Sequence, residues 1–306
     1  VLTRSNQRFQ VATNSPLPAN VAPGRHLENN DEKGGKRGKQ RPMTNNGGVG
    51  GGIQLDAAAA AEAAPAERDE LGIASEIHGA PLELVPGIKS EVEMVANAMY
   101  ALECEITPGE TINEGPFAEV TGYYARKDKR PKVRVLKVHR RKNPVFHSIL
   151  SGAEVYNSVG LLGEANVLSL LRQQVPGVRD VYFSHGGCGF YHAVVQIKQT
   201  RAGWGKQAIM AAFAAFAPLK MVTVVDDDVD IRDPSDVEWA MITRLDASMG
   251  ILRVENVFGH GLNPTFPDYL GTKVGFDATR PYPFTPDFDR ATVKAIDLSG
   301  LDIVSP

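Results

Sequence analysis

The chain has 306 residues, a net charge of −3 and 42% hydrophobic residues, which is typical of a globular protein with about two domains. Its longest apolar run, 208–219, is shorter than the roughly 20 residues that cross a bilayer, and no signal peptide opens the chain, so we expect a cytoplasmic protein without membrane contact. Lysine and arginine total 33 against 36 acids, and there are two cysteines, so composition excludes a general nucleic-acid-binding surface and a disulfide framework.

The amino-acid composition of the N-terminal third changes twice along the chain. Segment 28–52 is polar and rich in glycine, and it predicts a flexible surface segment. The alanine-rich sequence after it favours a helix as far as Pro65. A second short helix is predicted from Glu70 to Ile77, ending at Gly79.

The next region is rich in β-forming residues separated by proline, glycine and charged turns. This pattern predicts an antiparallel sheet or a small barrel. The predicted strands are 81–87, 100–110, 117–125 and 131–143. The last of them overlaps the basic segment 126–142, the one local exception to the charge balance.

From Asn143 onwards helices and strands alternate, which predicts an α/β layer domain. The predicted elements are a helix over 166–177, strands over 178–184 and 190–199, a helix over 205–217, an apolar strand over 219–231 and a capped helix over 233–245. The fold class is therefore mixed α+β and α/β, with a β-rich domain over 1–144 and an α/β domain over 145–306.

Two glutamates, Glu114 and Glu119, flank a Gly-Pro-Phe-Ala bend. On a plain strand, residues five apart point to opposite faces, but the bend at Gly115 and Pro116 breaks that alternation and allows both carboxylates to face one pocket. A glutamate donates a proton near neutral pH when burial or a neighbouring negative charge raises its pKa. Two solvent-facing glutamates beside a turn are the structural alternative.

Two further motifs each have two interpretations. The acidic run Asp226–Asp230 suggests a magnesium site, as in a metal hydrolase, but Asp230 and Asp233 also fit turn and helix-cap positions, with the earlier aspartates paired to Arg232 or Arg244. The glycine-rich stretch 184–192 is typical of a tight hairpin turn between strands. The alternative is a metal site lined by its histidines, His185 and His192, and by Cys188.

Four stretches carry a resemblance to a known family. They are DELGIASEIHGAPLELV at 69–85, PGE at 108–110, EGPFAEVTGYY at 114–124 and VVDDDVDIRDPSDVEWAMITR at 224–244. In order and spacing they resemble the UbiD-like decarboxylases that use prenylated FMN (prFMN), and the resemblance extends from Arg8 to about Pro281.

The resemblance implies a split β-barrel flavin-binding domain over 1–144, followed by an α/β domain with a dimerisation role over 145–306. It also implies a non-oxidative decarboxylase, or carboxylase in reverse, for an aromatic, heteroaromatic or α,β-unsaturated acid. A covalent prFMN adduct would serve as electron sink, because direct loss of carbon dioxide from an sp² carbon leaves an unstabilised carbanion. A flavin prenyltransferase would supply the cofactor.

In this family an arginine lies between two glutamates, and the second glutamate is the proton donor. By resemblance these glutamates are Glu114 and Glu119, with Glu119 the donor. Segment 7–11 resembles the part of the family that supplies the arginine, so Arg8 is the candidate and Gln10 is expected to bind cofactor. Arginine suits the place because its planar fork pairs with two carboxylates and stays charged.

The family also binds the flavin phosphate through a divalent metal, typically manganese, beside a potassium ion. The resemblance assigns the histidine and glutamate ligands to His26 and Glu70, while Thr3 stands where an asparagine ligand is expected. Lys220 resembles the lysine that approaches the cofactor. A surface histidine at position 26 and a strand-edge lysine at position 220 are the alternatives.

The chain departs from the family pattern in three places. Ala118 replaces a glycine between the two glutamates, and the polar stretch 34–52 stands where relatives have an apolar strand. Family members also carry over a hundred residues before the arginine segment, so part of the flavin pocket is expected to be missing or supplied elsewhere. The alternative function is a non-catalytic or truncated relative that acts as a cofactor-binding or assembly subunit.

Overall fold

A computed structural model describes residues 3–5, 8–11, 70–90, 92–146, 152–153 and 155–291. The elements before residue 147 are β1 (Thr3–Ser5), β2 (Arg8–Val11), α1 (Glu70–His78), β3 (Leu84–Pro86), β4 (Glu93–Val95), β5 (Tyr100–Glu114) and β6 (Asp128–Arg140). β1, β2, β5 and β6 form an antiparallel sheet in that order, and β3 pairs with β4. The flexible segment predicted at 28–52 lies outside the described residues.

The long hairpin of β5 and β6 positions the predicted glutamates. Glu114 is the last residue of β5 and pairs with Asp128, the first residue of β6. The connection between them, 115–127, therefore leaves the sheet at one end of the hairpin and carries Glu119 away from it.

The elements after residue 154 are α2 (Val155–Gln174), β7 (Val178–Phe183), β8 (His192–Ile197), α3 (Trp204–Ala215), β9 (Met221–Asp226), α4 (Pro234–Arg244), β10 (Ile251–Phe258) and β11 (Leu270–Ala278). Their strands form one sheet in the order β10-β11-β9-β8-β7. β8, β9 and β11 run parallel in its centre, while β7 and β10 are antiparallel edge strands.

The main hydrophobic core lies between this sheet and its helices. β9 is an almost continuous apolar run because helices cover both of its faces, as is usual for a central parallel strand. The apolar side of α3, including Ile209 and Ala212, is fully buried in this core. Val120, from the loop after β5, is buried in the same cluster, so that loop packs on the α/β layer.

Most predicted elements are confirmed. The helix predicted at 70–77 is α1, and it ends at Gly79 in a left-handed conformation with φ +76°. The helix predicted over 166–177 is part of α2, which begins earlier, and α3 and α4 match their predicted ranges closely. The helix predicted to end at Pro65 lies outside the described residues.

Two predictions were wrong or incomplete. The stretch 117–125 is a loop with one isolated bridge, Ala118 to Tyr124, and not a strand. No element was predicted after residue 245, although β11 is a central strand. β11 contains Gly271, Lys273 and Gly275, which weaken a β pattern, and tertiary packing explains two of them: a Cβ on Gly271 would meet Phe266 at 2.6 Å and one on Gly275 would meet Ile209 at 2.1 Å.

Within the described part of the chain, no helix is both long and apolar enough to cross a membrane.

Candidate active site

The loop between the two glutamates is a compact turn. Its Gly115–Pro116 peptide bond is cis, and Gly115 has φ +79°, a conformation that favours glycine. Further along, the Glu119 N–H donates to the Tyr123 carbonyl (3.0 Å), and the Gly122 N–H donates to the Glu119 carbonyl (2.9 Å). These hydrogen bonds occupy backbone N–H and C=O groups that a strand would need for bonding to a neighbouring strand. Ala118 has no positive φ, so alanine is accommodated there without backbone strain.

The Glu119 side chain is buried, with 9% exposure, and its Oε1 atom has no hydrogen-bond partner among the described residues. Burial raises the pKa of Glu119, and the negative charge of Glu114 raises it further, while a hydrogen bond from the Val120 N–H opposes both effects. A carboxyl group in this environment favours its protonated form. It can therefore act as an acid.

Glu114 lies in a different environment. Its side chain is 36% exposed, and its Oε2 atom is 3.4 Å from Nε of Arg130, which also lies 3.3 Å from Asp128. Among the side chains that the structure describes, Arg130 is a cation beside Glu114. The sequence analysis did not single out this residue, although the pairing of β5 with β6 brings it there.

Arg8 and Gln10 are placed through their backbone alone. Both belong to β2, where Arg8 pairs with Glu105 of β5 and Gln10 pairs with Glu103 on one side and Thr3 of β1 on the other. Their side chains are outside the described part. Glu105, the partner of Arg8, stands nine residues before Glu114 on β5, so the pairing does not itself bring the Arg8 backbone to Glu114, and the role of Arg8 stays a prediction.

Neither predicted metal ligand has a described side chain. His26 lies outside the described residues, and Glu70 is the first residue of α1, with its side chain undescribed. Among the residues that the structure does describe, no three histidine, cysteine, aspartate or glutamate side chains cluster in a way that would hold a metal ion. The manganese and potassium sites therefore remain predictions.

Lys220 lies at the start of β9, and its Nζ donates to Oγ1 of Thr265 (2.7 Å). The ring of Phe266, which is 2% exposed, lies 5.9 Å from the same ammonium group. Lys220 is thus held at the strand end by the loop after β10, and does not simply extend into solvent.

A buried polar cluster connects the Glu119 loop to the α/β layer. The Tyr156 hydroxyl donates to the Val120 carbonyl (3.3 Å). Tyr191 is 5% exposed, and its hydroxyl is 2.7 Å from Nδ1 of His260. Burial raises the pKa of Tyr191, with a smaller contribution from Glu119, so Tyr191 lies within electrostatic reach of Glu119.

Tyr191 and His260 were not among the predicted site residues. They are 69 residues apart, and neither belongs to a local motif, so no spacing could pair them. The one available signal was Tyr191's position in the glycine-rich stretch 184–192. The structure confirms that this stretch is a hairpin connection: a 3-10 turn at 185–187 joins antiparallel β7 and β8.

His192 of the same stretch has a structural partner on each side. Its two ring nitrogens lie 2.9 Å from the hydroxyls of Ser184 and Thr223. Burial lowers its pKa to about 4, so it is neutral at physiological pH.

The acidic run after β9 is paired with arginines, as the structural interpretation predicted. Arg244 donates to both Asp226 (3.3 Å) and Asp228 (2.8 and 2.6 Å). Asp233 caps α4 by accepting from the Ser235 N–H (2.9 Å), and Asp230 accepts from the Arg232 N–H (2.9 Å). These contacts join β9 to α4.

The comparisons with known proteins agree with this architecture. The 3-octaprenyl-4-hydroxybenzoate carboxy-lyase Rift-related domain (UbiD) matches residues 4–154, and the C-terminal domain of the same carboxy-lyase (UbiD_C) matches residues 157–278. An anhydromevalonate phosphate decarboxylase of Methanosarcina mazei is 35% identical over 298 residues, which are 96% of this chain and 68% of that protein. The chain belongs to the UbiD family. Both matching family models are domains of a carboxy-lyase.

Other UbiD relatives include an uncharacterized protein from the cooM 5′ region of Rhodospirillum rubrum, which is 69% identical over 304 residues. The match covers 99% of this chain and 66% of that relative, so the chain spans about two thirds of the curated protein's length.

Two solved UbiD-class structures are also similar. The enzyme HmfF from Pelotomaculum thermopropionicum, in complex with FMN, has a TM-score of 0.75 and 37% identity over 80% of this chain and 56% of its own. An apo 3,4-dihydroxybenzoic acid decarboxylase from Enterobacter cloacae has a TM-score of 0.68 and 28% identity over 76% of this chain and 52% of its own. The fold of the described residues is therefore that of a UbiD-class enzyme.

Proposed function

We propose that this protein is a prFMN-dependent, non-oxidative decarboxylase, or carboxylase in reverse, for an aromatic, heteroaromatic or α,β-unsaturated acid, with Glu119 as proton donor. The observation that carries the proposal is the buried Glu119 carboxyl group, whose Oε1 atom has no partner in the described structure and whose pKa is raised by burial. A carboxyl group whose pKa is raised by burial is suited to donate a proton as a general acid.

The donor set of this chain fits a flavin cofactor. The free Oε1 of Glu119 is a buried polar atom that needs a partner, and Lys220 offers an ammonium group for an oxygen acceptor. Arg8 and Gln10 would contribute from β2, with His26 and Glu70 as ligands of a divalent metal, manganese by family resemblance, and potassium beside it. When bound, prFMN supplies the electron sink that decarboxylation at an unsaturated carbon requires. A split β-barrel is the form proposed for this domain.

The proton inventory of the reaction rests on Glu119. In its protonated form it delivers the carboxyl proton to the carbon that has lost its carboxylate, and it then becomes a buried anion. Burial and the nearby charge of Glu114 both disfavour that anion, so Glu119 takes up a proton again before the next turnover. Arg8, between the two glutamates, would hold them apart and keep one of them ionised.

The direct test is Glu119→Gln, which keeps the shape of the side chain and removes its proton. We expect turnover to fall by roughly 10²–10⁴-fold, the usual contribution of a general acid. Flavin content, measured by absorbance of protein made in cells that produce prFMN, should be unchanged. Glu110→Gln, at an exposed position paired with Lys132, is the matched control and should retain full turnover. Unchanged turnover in Glu119→Gln would remove Glu119 from the mechanism.

The names of the relatives suggest the first substrates to try. Anhydromevalonate phosphate and 3,4-dihydroxybenzoic acid are the compounds in two of those names, and both belong in a first panel. The non-catalytic alternative predicts wild-type protein without prFMN absorbance and without turnover of any acid. Homodimerisation through residues 145–306 and a cytoplasmic location also remain predictions.

A further inference from the structure

Lys220 is fixed at both ends by different parts of the α/β layer. Its backbone N–H donates to the Tyr191 carbonyl (2.8 Å), and the Met221 N–H donates to the same oxygen (2.9 Å). Its Nζ donates to Oγ1 of Thr265 (2.7 Å). Tyr191 and Thr265 therefore hold the backbone and the ammonium group of one lysine.

A second side-chain hydrogen bond links Tyr191 to the loop that carries Thr265. The Tyr191 hydroxyl is 2.7 Å from Nδ1 of His260. Together these contacts form a closed circuit through Tyr191, Lys220, Thr265 and His260, which we call the lysine circuit. The loop 260–265 contributes two side chains to this circuit, His260 and Thr265.

That loop is braced internally. Oδ1 of Asn263 accepts from the Thr265 N–H (3.1 Å) and from the Thr265 hydroxyl (2.8 Å), and the Asn263 N–H donates to the His260 carbonyl (3.1 Å). The Thr265 hydroxyl thus donates to Asn263 and has its lone pairs directed elsewhere, which makes it an acceptor for Lys220. Each hydrogen bond of the lysine circuit therefore joins a group that can donate to a group that can accept.

The ring of Phe266 closes one side of the ammonium group. A Cβ on Gly259 would lie 2.3 Å from this ring and one on Gly271 would lie 2.6 Å from it, so the backbone packs against both positions closely. The ring cannot move away without displacing β11. Lys220 therefore has a fixed apolar wall on one side and Thr265 on another.

Lys220 carries the one formal charge in the circuit. Burial lowers the pKa of His260 to about 4 and raises that of Tyr191, so both are neutral near pH 7. Cys188 and Glu119 are the charged or titratable groups that act on Tyr191 from neighbouring segments. Tyr191 therefore contacts Lys220 through its carbonyl and lies within electrostatic reach of Glu119.

We propose that Tyr191, His260 and Thr265 are positioning residues that fix the Lys220 ammonium group for an oxygen acceptor of the bound cofactor. The inference rests on the proposed function for the identity of the ligand, but not for the circuit itself. A fixed ammonium group loses little side-chain freedom on binding, which favours a defined ligand orientation.

The test measures the reactivity of Lys220 in the purified protein without cofactor or substrate. Trace acetylation with acetic anhydride, followed by mass spectrometry, compares Lys220 with Lys198, a lysine on the same layer outside the circuit. We expect Thr265→Val to raise Lys220 labelling about fivefold, the factor expected for one lost hydrogen bond, and Thr265→Ser to restore the wild-type rate. Equal labelling in wild type and Thr265→Val would overturn the proposal.

A double-mutant cycle separates the circuit from a general loosening of the fold. Tyr191→Phe removes the bond to His260 and should also raise Lys220 labelling, but adding it to Thr265→Val should have little further effect because both act on one circuit. Tyr182→Phe on β7, outside the circuit, is the matched control and should leave labelling unchanged. Additive effects would overturn the proposal. If all the labelling results are as expected but the protein decarboxylates no acid, the proposed function is rejected while the lysine circuit stands.

Discussion

Two buried glutamates of this chain differ in what surrounds them. Glu103, on β5, is fully buried and accepts hydrogen bonds from the N–H groups of Ile88 (3.0 Å) and Lys89 (2.6 Å) and from the Ser90 hydroxyl (3.1 Å). Nε2 of His139 lies 2.6 Å from Oε1 of Glu103, the oxygen that also accepts from Ile88. Glu119 is nearly as buried, yet one of its oxygens has no partner in the described structure.

The comparison shows that partners, and not burial alone, decide the state of a carboxyl group. Burial by itself would raise the pKa of Glu103. Its hydrogen bonds with His139 and with the 88–90 turn lower the pKa, and the net result is a lowered value. In Glu119 the single Val120 N–H does not offset burial, and the pKa is raised. Glu103 therefore favours its anionic form and holds the 88–90 turn on β5, while Glu119 favours its protonated form more than an ordinary glutamate does.

The largest effect tests whether Glu119 gains a partner from Arg8. If the Arg8 fork lies between Glu114 and Glu119, Arg8→Ala should lower turnover at least about a hundredfold and move the pH profile upward, because two carboxylates would face each other without a cation. Arg8→Lys keeps the charge without the fork and should lose much of the activity. A pH–rate series on the accepted substrate measures both.

Arg130→Ala is the matched control for the arginine assignment. Arg130 pairs with Glu114 at a position where both side chains are about one third exposed, and such pairs contribute little, so turnover should change less than about fivefold. If Arg130→Ala is the inactive variant and Arg8→Ala turns over like wild type, the shared cation is Arg130 and the family assignment of Arg8 is wrong.

Glu103→Gln should give the largest change in stability. An amide cannot accept from all the donors around Glu103, so we expect the free energy of unfolding to fall by roughly 2 kcal/mol, with turnover per folded molecule unchanged. Urea unfolding with an unchanged m-value measures it. Because the folded pKa is lowered from 4.5, the difference should be full above pH 4.5 and shrink as pH falls through the folded pKa. A loss as small as that of Glu110→Gln would show that the Glu103 contacts contribute little.

The sequence predicted the parts of this site that depend on local pattern. The capped helix α4, the hairpin at 184–192 and the bend between Glu114 and Glu119 each depend on residues a few positions apart, and turn and capping chemistry identifies such features. The stretch 117–125 misled because its aromatic and β-branched residues suit a strand, while Gly122 and the bonds around Glu119 fold it into a turn.

Features that depend on tertiary contacts could not be predicted. β11 is central although its sequence contains Lys273, whose ammonium group donates to the Ala217 carbonyl (2.6 Å) beyond the end of α3. Burial lowers the pKa of Lys273 to about 8. The Tyr191–His260 and Lys220–Thr265 contacts likewise form only because the residues before β8 and β9 and the loop after β10 come together at one end of the strands. Arg130 reaches Glu114 through hairpin register.

The smallest expected effect is a change in stability, and it distinguishes Glu119 directly from Glu103. Glu119→Gln should leave stability at pH 7 equal to or above that of wild type, unlike Glu103→Gln. The reason is proton linkage: the raised pKa means that the folded state binds more protons than the unfolded state between pH 4.5 and the folded pKa, so wild type loses stability as pH rises through that window. Glutamine does not titrate, so the advantage of the variant should grow from pH 4.5 upwards and vanish below it. Urea midpoints of wild type, Glu119→Gln and Glu110→Gln at a series of pH values measure this.

If Glu119→Gln is less stable than wild type at pH 7, with a difference that disappears in acid, then the Glu119 anion is stabilised by partners, as Glu103 is, and it cannot serve as the acid of the reaction.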